Sequence, residues 1–170
     1  MPLYIGIDLQ EGFLTNEIRE IGYIERVEGF IAKKDREHVT LTRFTNEPDS
    51  NFISLLDWSA MQMLDPMTNL FGSLEGGGYW VLRKSTYTAW SPAIQKQAKE
   101  LGFTDIILFG LDTDACVFKT ALDIFEAGYR PIVLTDLCAS SGGEDRHRMA
   151  IDLLKHLIGE GQVITSDKVS

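Results

Sequence analysis

Short runs rich in β-branched and aliphatic residues alternate, along the whole chain, with longer stretches whose apolar residues recur at spacings of three and four. This alternation restricts the fold more than any other feature. The runs are LYIGID (3 to 8), VTLTRF (39 to 44), YWVLRK (79 to 84), DIILFG (105 to 110), PIVLTD (131 to 136) and QVIT (162 to 165). Between them lie patterns such as Ile18, Ile21, Ile24, Val27 and Ile31, or Val117, Ala121, Ile124 and Phe125, which mark helices that bury one face on a sheet. Strand and helix in regular succession predict a three-layer α/β/α domain. Its core would be a six-stranded, mainly parallel, doubly wound sheet with right-handed crossovers. Ser91 then Pro92 predict a helix start, and Gly102 and Gly128 predict helix stops.

Nothing in the chain suggests a second unit, so residues 1 to 170 are read as a single domain. The formal charge of -9 leaves no basic face for phosphates, which argues against nucleic acid and anionic membrane as partners and for a small molecule. No apolar run approaches the roughly 18 residues of a membrane span. The opening MPLYIGIDLQ lacks the pattern of a signal peptide, and two cysteines are too few for a disulfide framework; both lead to the expectation of a reducing cytoplasm.

In a doubly wound sheet ligands bind beyond the carboxyl ends of the strands, where strand order reverses. Three residues with reactive side chains stand at such ends: Asp8 after the first strand, Lys84 after the third, and Cys116 in the turn after the fourth. Alone, each has a plain reading: Asp8 as a cap, Lys84 as a solvent-directed charge, Cys116 as a core filler. Together they suit nucleophilic chemistry. A thiol at the start of a helix feels the positive end of the backbone dipole, Asp8 can accept its proton, and Lys84 can support the anion. Backbone N–H groups of that helix start would serve a tetrahedral oxyanion. A sheet order of 3-2-1-4-5-6 is favoured because it sets Asp8 beside Cys116, although Lys84 must then lean in from two strands away. An order of 2-1-3-4-5 would put Lys84 between them.

These segments resemble the isochorismatase-like cysteine hydrolases, the superfamily that includes nicotinamidases and N-carbamoylsarcosine amidases. YIGIDLQEGF resembles that family's opening strand, with its catalytic Asp at Asp8 followed by Gln10 and Phe13; VLRKSTYTAW resembles its lysine segment; ILFGLDTDACVFKTALDIFEAGY with PIVLTDLCASSGG resembles its nucleophile segment. The likeness implies a catalytic triad of Asp8, Lys84 and Cys116. It also implies a non-proline cis peptide between Asp112 and Thr113, an oxyanion hole from the backbone amides of Asp112 and Cys116, and a homo-oligomer, dimer or tetramer. It departs at the metal site: nicotinamidases carry Asp-Trp-His-Pro after the second strand, where this chain reads TRFTNEPDSNF. No metal and no cofactor is expected.

Cys116 tilts the expectation toward hydrolysis of a C–N bond in a small amide or ureide through a thioester. Vinyl-ether hydrolysis, a silent binding protein on the same fold and a redox sensor pairing Cys116 with Cys138 are the competing readings. Phe13 and Tyr87 are candidate pocket residues. Arg43 and Arg146 are weaker candidates for gripping a substrate carboxylate, with a surface ion pair as the plainer reading of each.

Overall fold

The computed structural model describes residues 2 to 169. Its strands are β1 (Leu3–Ile7), β2 (Val39–Phe44), β3 (Trp80–Lys84), β4 (Asp105–Leu111), β5 (Arg130–Ala139) and β6 (Val163–Ile164). They form one sheet in the order β3-β2-β1-β4-β5-β6, and every neighbouring pair is parallel. This is the favoured 3-2-1-4-5-6 order. Every residue of β1 is buried, and β4 is buried after its first residue, as expected of central strands covered on both faces. β3, at the edge, exposes Trp80 and Val81.

The helices are α1 (Asn16–Glu20), α2 (Tyr23–Ile31), α3 (Asn51–Ser54), α4 (Pro92–Glu100), α5 (Phe118–Glu126) and α6 (Glu144–Ile158). Ser91 caps α4 through its hydroxyl, with Pro92 at the first helical position. Gly102 and Gly128 follow α4 and α5 with φ of +68° and +83°, as helix stops do. The pattern from Ile18 to Ile31 is two helices rather than one. Gly22, at φ +67°, breaks it, leaving Ile18, Val27 and Ile31 buried and turning Ile21 out to solvent. No helix among the described residues is long and apolar enough to cross a membrane.

β5 runs ten residues, longer than expected, so Cys138 lies inside the strand opposite Gly110. The β4–β5 register shifts between Leu108 and Gly110. At Gly110 φ is +129°, and an added Cβ would collide with the Ile7 carbonyl oxygen and lie 2.7 Å from the Ile7 nitrogen. Only glycine allows β4 to approach β1 so closely, one residue before Asp8. Gly110→Ala should therefore destabilise the fold by at least about 2 kcal/mol, combining backbone strain and overpacking. Urea unfolding monitored by circular dichroism would measure it.

Candidate active site

Asp8, Lys84 and Cys116 meet at the carboxyl rim of the sheet. Asp8 follows β1 with φ at +47°, a left-handed conformation that turns the chain out of the strand. Its backbone N–H donates to Thr42 Oγ1 at 3.0 Å, and that hydroxyl donates to Asp8 Oδ1 at 2.6 Å. The second carboxylate oxygen, Oδ2, pairs with Lys84 Nζ at 2.7 Å, and both side chains are almost fully buried. Lys84 reaches this position across β2, its ammonium 5.2 Å from the centre of the Phe44 ring. It also donates to the carbonyls of Thr86 (2.8 Å) and Tyr87 (3.2 Å) and to Cys116 Sγ at 3.5 Å.

Cys116 sits in a π-helical turn, Thr113–Val117, that leads into α5, not in the first turn of a regular α-helix. The Asp112 carbonyl accepts from the N–H groups of both Ala115 and Val117, which sets the wider turn. The Cys116 carbonyl accepts from Thr120 Oγ1 at 2.6 Å, and Thr120 accepts in turn from the Ala89 N–H at 2.9 Å. One buried hydroxyl thus joins the turn bearing Cys116 to the loop that holds Lys84. The cis peptide lies between Leu111 and Asp112, one residue before the expected position. The Asp112–Thr113 peptide already belongs to the turn, because its carbonyl is the acceptor that opens it.

Burial pushes the Cys116 thiol well above the ordinary cysteine range; the Asp8 carboxylate pushes the same way, and Lys84 opposes both. The expectation of a readily ionised sulfur is therefore corrected. Desolvation and the Asp8 carboxylate together outweigh the support that Lys84 gives the anion. Burial works to lower Lys84, but Asp8 and Cys116 outweigh it and hold the ammonium above the usual lysine value. Lys84 is a permanent cation here.

Cys116 opens onto a cavity of about 330 Å³. One wall is apolar: Phe13, Phe44, Phe52, Trp58 and Tyr87, with Leu56. These rings pack on one another, Phe44 stacking on Trp58 at 5.8 Å and Phe52 meeting Tyr87 edge-on at 5.0 Å. The lining also includes Asp112, Asp114, Ser141, Gly142 and Arg146, the last ion-paired with Asp114 at 3.9 Å. Phe13 and Tyr87, the candidate pocket residues, both line this cavity. Arg43 is elsewhere, ion-paired to Glu75 at 2.5 Å. Gln10, fully buried, holds Phe44 by accepting from its N–H and donating to its carbonyl. Cys138 is a core residue whose thiol burial pushes up to about 12, and both cysteines are free.

The loop after β2 does not fit the metal that a likeness to nicotinamidases would imply. Asn46 spends its amide on the chain itself, donating to the carbonyls of Trp58 (2.8 Å) and Ala60 (3.1 Å) and accepting from Ser50 Oγ. Among the described residues no three His, Cys, Asp or Glu side chains are grouped to hold a metal ion.

Thr42, Phe44, Thr120 and the Asp112–Ser141 pair are functional neighbours that the sequence reading missed. Thr42 had a signal: it is a polar residue in a strand covered on both faces. Asp112 accepts from the Ser141 N–H at 2.9 Å and from its hydroxyl at 2.5 Å, yet burial is the larger effect and raises its carboxyl to about 6. The unfolded value is near 3.9, so between about pH 4 and 6 the folded chain holds a proton that the unfolded chain has released. Stability from this group therefore falls as pH rises through that window, by roughly 2 to 3 kcal/mol. Asp112→Asn should remove this slope: the stability of the variant relative to the parent should climb from about pH 4 to 6 and level above 7 in denaturant melts.

The family model described as Isochorismatase domain matches residues 2 to 168. Isochorismatase domain-containing protein 2 of Xenopus laevis is 35% identical over 69 residues, which cover 38% of this chain and 34% of that protein. The match thus spans about a third of the curated relative's length. Among solved structures, N-carbamoylsarcosine amidase of Thermoplasma acidophilum superposes with a TM-score of 0.79 at 24% identity, covering 99% of this chain and 98% of that one. Nicotinamidase of Bacillus subtilis gives 0.79 at 20% identity, with 97% and 99% covered. These two likenesses concern the fold, while the family model spans nearly every residue: the chain belongs to the isochorismatase family.

Proposed function

We propose that this isochorismatase-family chain is a cysteine hydrolase that splits the C–N bond of a small amide or ureide through a thioester on Cys116, without a metal. One observation carries the reading. A single buried ammonium, Lys84 Nζ, stands 2.7 Å from Asp8 Oδ2 and 3.5 Å from Cys116 Sγ, and Cys116 lines a cavity. The name of the structurally similar N-carbamoylsarcosine amidase supports the C–N class.

In the proposed cycle Asp8 takes the thiol proton as the sulfur attacks the carbonyl carbon, so the sulfur–carbon bond forms while the carbonyl electrons move to oxygen. Backbone amides of Asp112 and Cys116, both at the cavity wall, would hold that oxyanion. Asp8 then passes its proton to the departing nitrogen, and ammonia or an amine leaves. A water, deprotonated by Asp8, attacks the thioester; the acid is released and the proton returns to sulfur. Lys84 stays charged throughout and never moves a proton.

Asp8 and Cys116 both act in each half of this scheme. Ammonia release from a panel of small amides and ureides should be lost in both Cys116→Ala and Asp8→Asn, by at least about 1000-fold in kcat/KM. A Cys116→Ala protein that still releases ammonia from its substrate at the parent rate would exclude the thioester route.

A further inference from the structure

Three successive residues, leading into and opening the turn that carries Cys116, are held by side chains from one other stretch of chain. Asp112 accepts from Ser141, and Asp114 accepts from Ser140 Oγ at 2.5 Å. Between them, Thr113 Oγ1 lies 2.8 Å from His147 Nδ1, near the start of α6. Thr113 is also where the wide turn closes. Its carbonyl accepts from the N–H of Phe118, five residues on, just as the Asp112 carbonyl accepts from Val117. Cys116 lies inside both loops, so a side chain that fixes Thr113 fixes the loop that sets Sγ 3.5 Å from Lys84 Nζ.

Thr113 is fully buried, and its hydroxyl makes no other hydrogen bond among the described residues. A buried hydroxyl needs an acceptor for its hydrogen. Thr113 therefore donates to Nδ1, which leaves the imidazole neutral with its proton on Nε2. A protonated ring would carry hydrogen on both nitrogens, and the Thr113 hydrogen would lose its acceptor. Burial lowers His147 from the ordinary histidine value and outweighs Glu144 and Asp114, which favour the cation. The other charges around the half-buried ring are Arg148, Asp152 and Lys155 on α6 and Lys168 after β6, while β5 contributes the uncharged Thr135. These groups line a groove of about 580 Å³ that shares no residue with the Cys116 cavity. Protons reach His147 from this groove without entering the cavity.

We propose that His147 is a positioning residue for the reaction at Cys116: the neutral ring, accepting from Thr113, holds the sulfur beside Lys84, and a proton taken up from the outer groove releases that hold. The hydroxyl then turns toward another acceptor, the turn shifts, and the sulfur loses the support of the ammonium. This rests on Cys116 being the nucleophile, as proposed above.

Iodoacetamide provides the test. It is small and uncharged, and it alkylates sulfur by forming a sulfur–carbon bond with loss of iodide, the thiol proton passing to solvent. Rates at Cys116 are read by peptide mapping between about pH 5 and 8, with the core residue Cys138 as the internal measure of unfolding. At about pH 8, His147→Ala and Thr113→Val should each slow Cys116 about fivefold, the effect of one lost hydrogen bond, with Cys138 unlabelled. His147→Asn should restore the rate, because its amide oxygen can replace Nδ1 as acceptor and does not titrate. The parent-to-Asn ratio should be flat above about pH 7 and fall about threefold toward pH 5, with its midpoint below the ordinary histidine value of about 6.5. Asp112 titrates in the same range but alike in both proteins, so it cancels in the ratio. Where an Ala or Val variant labels Cys138, its core has opened and the parent-to-Asn ratio decides. A ratio that stays flat across the range, or unchanged or faster labelling in both His147→Ala and Thr113→Val, overturns the positioning role and leaves the nucleophile standing. A Cys116 inert to iodoacetamide in the folded parent overturns the nucleophile, and the positioning role with it.

Discussion

The ion pair between Lys84 and Asp8 organises the whole rim of the sheet. Two charges buried this deeply are costly to remove from water, and their attraction offsets that cost only when the remaining donors and acceptors also find partners. Here they do: Thr42 serves one carboxylate oxygen, and the carbonyls of Thr86 and Tyr87 serve the ammonium. To bring those two carbonyls under Lys84, the chain after β3 must curl back over the sheet. The curl brings Ala89 to Thr120, whose hydroxyl holds the carbonyl of Cys116. A requirement of electrostatics thus becomes, through two hydrogen bonds, the position of the sulfur.

The fold supplies the setting for that pair through strand order. With β1 and β4 adjacent, Asp8 and the turn bearing Cys116 leave the sheet side by side, and β2 separates both from Lys84. The separation explains two features that look unrelated. Phe44, at the end of β2, presents its ring beneath the passing ammonium, and Thr42, two residues earlier on the same face, presents its hydroxyl to Asp8. β2 contributes no reacting group, yet it is the floor on which the other three are arranged. The aromatic wall grows from the same strand end, since Gln10 pins Phe44 and Phe44 then stacks on Trp58.

Much of this was legible in the chain, and the boundary of legibility is physical. Strand order and the meeting of Asp8, Lys84 and Cys116 follow from alternation, from the reversal rule and from motif spacing, all of which are local or topological. What escaped depends on backbone detail or on loops without a period. The cis bond at Leu111 rather than one residue later, and the π-helical turn around Cys116, turn on which carbonyl accepts first. The sequence GLDTDACV does not record that. Phe52 and Leu56 reach the cavity from a four-residue helix and its exit, too short for any periodic signal. Arg43 and Arg146 were equivalent on paper. The structure pairs both, Arg43 with Glu75 away from the cavity and Arg146 with Asp114 at its lining.

In the proposed reaction the upward shift of the Cys116 thiol bears on how a desolvated sulfur would act as the nucleophile. A thiolate formed by losing its proton to bulk water would add a negative charge to a site that already holds Asp8, and burial resists that. Passing the proton to Asp8 instead leaves the total charge of the three groups unchanged: carboxylate, ammonium and thiol become carboxylic acid, ammonium and thiolate. The negative charge moves from an oxygen 2.7 Å from Lys84 Nζ to a sulfur 3.5 Å from it, so the cation keeps a partner without moving. The same burial that raises the thiol would also strengthen the attraction between Lys84 and the thiolate of the proposed reaction. In the proposed reaction the high proton affinity of Cys116 is therefore compatible with reactivity. It keeps the sulfur protonated until a substrate carbonyl is close enough to accept the electrons.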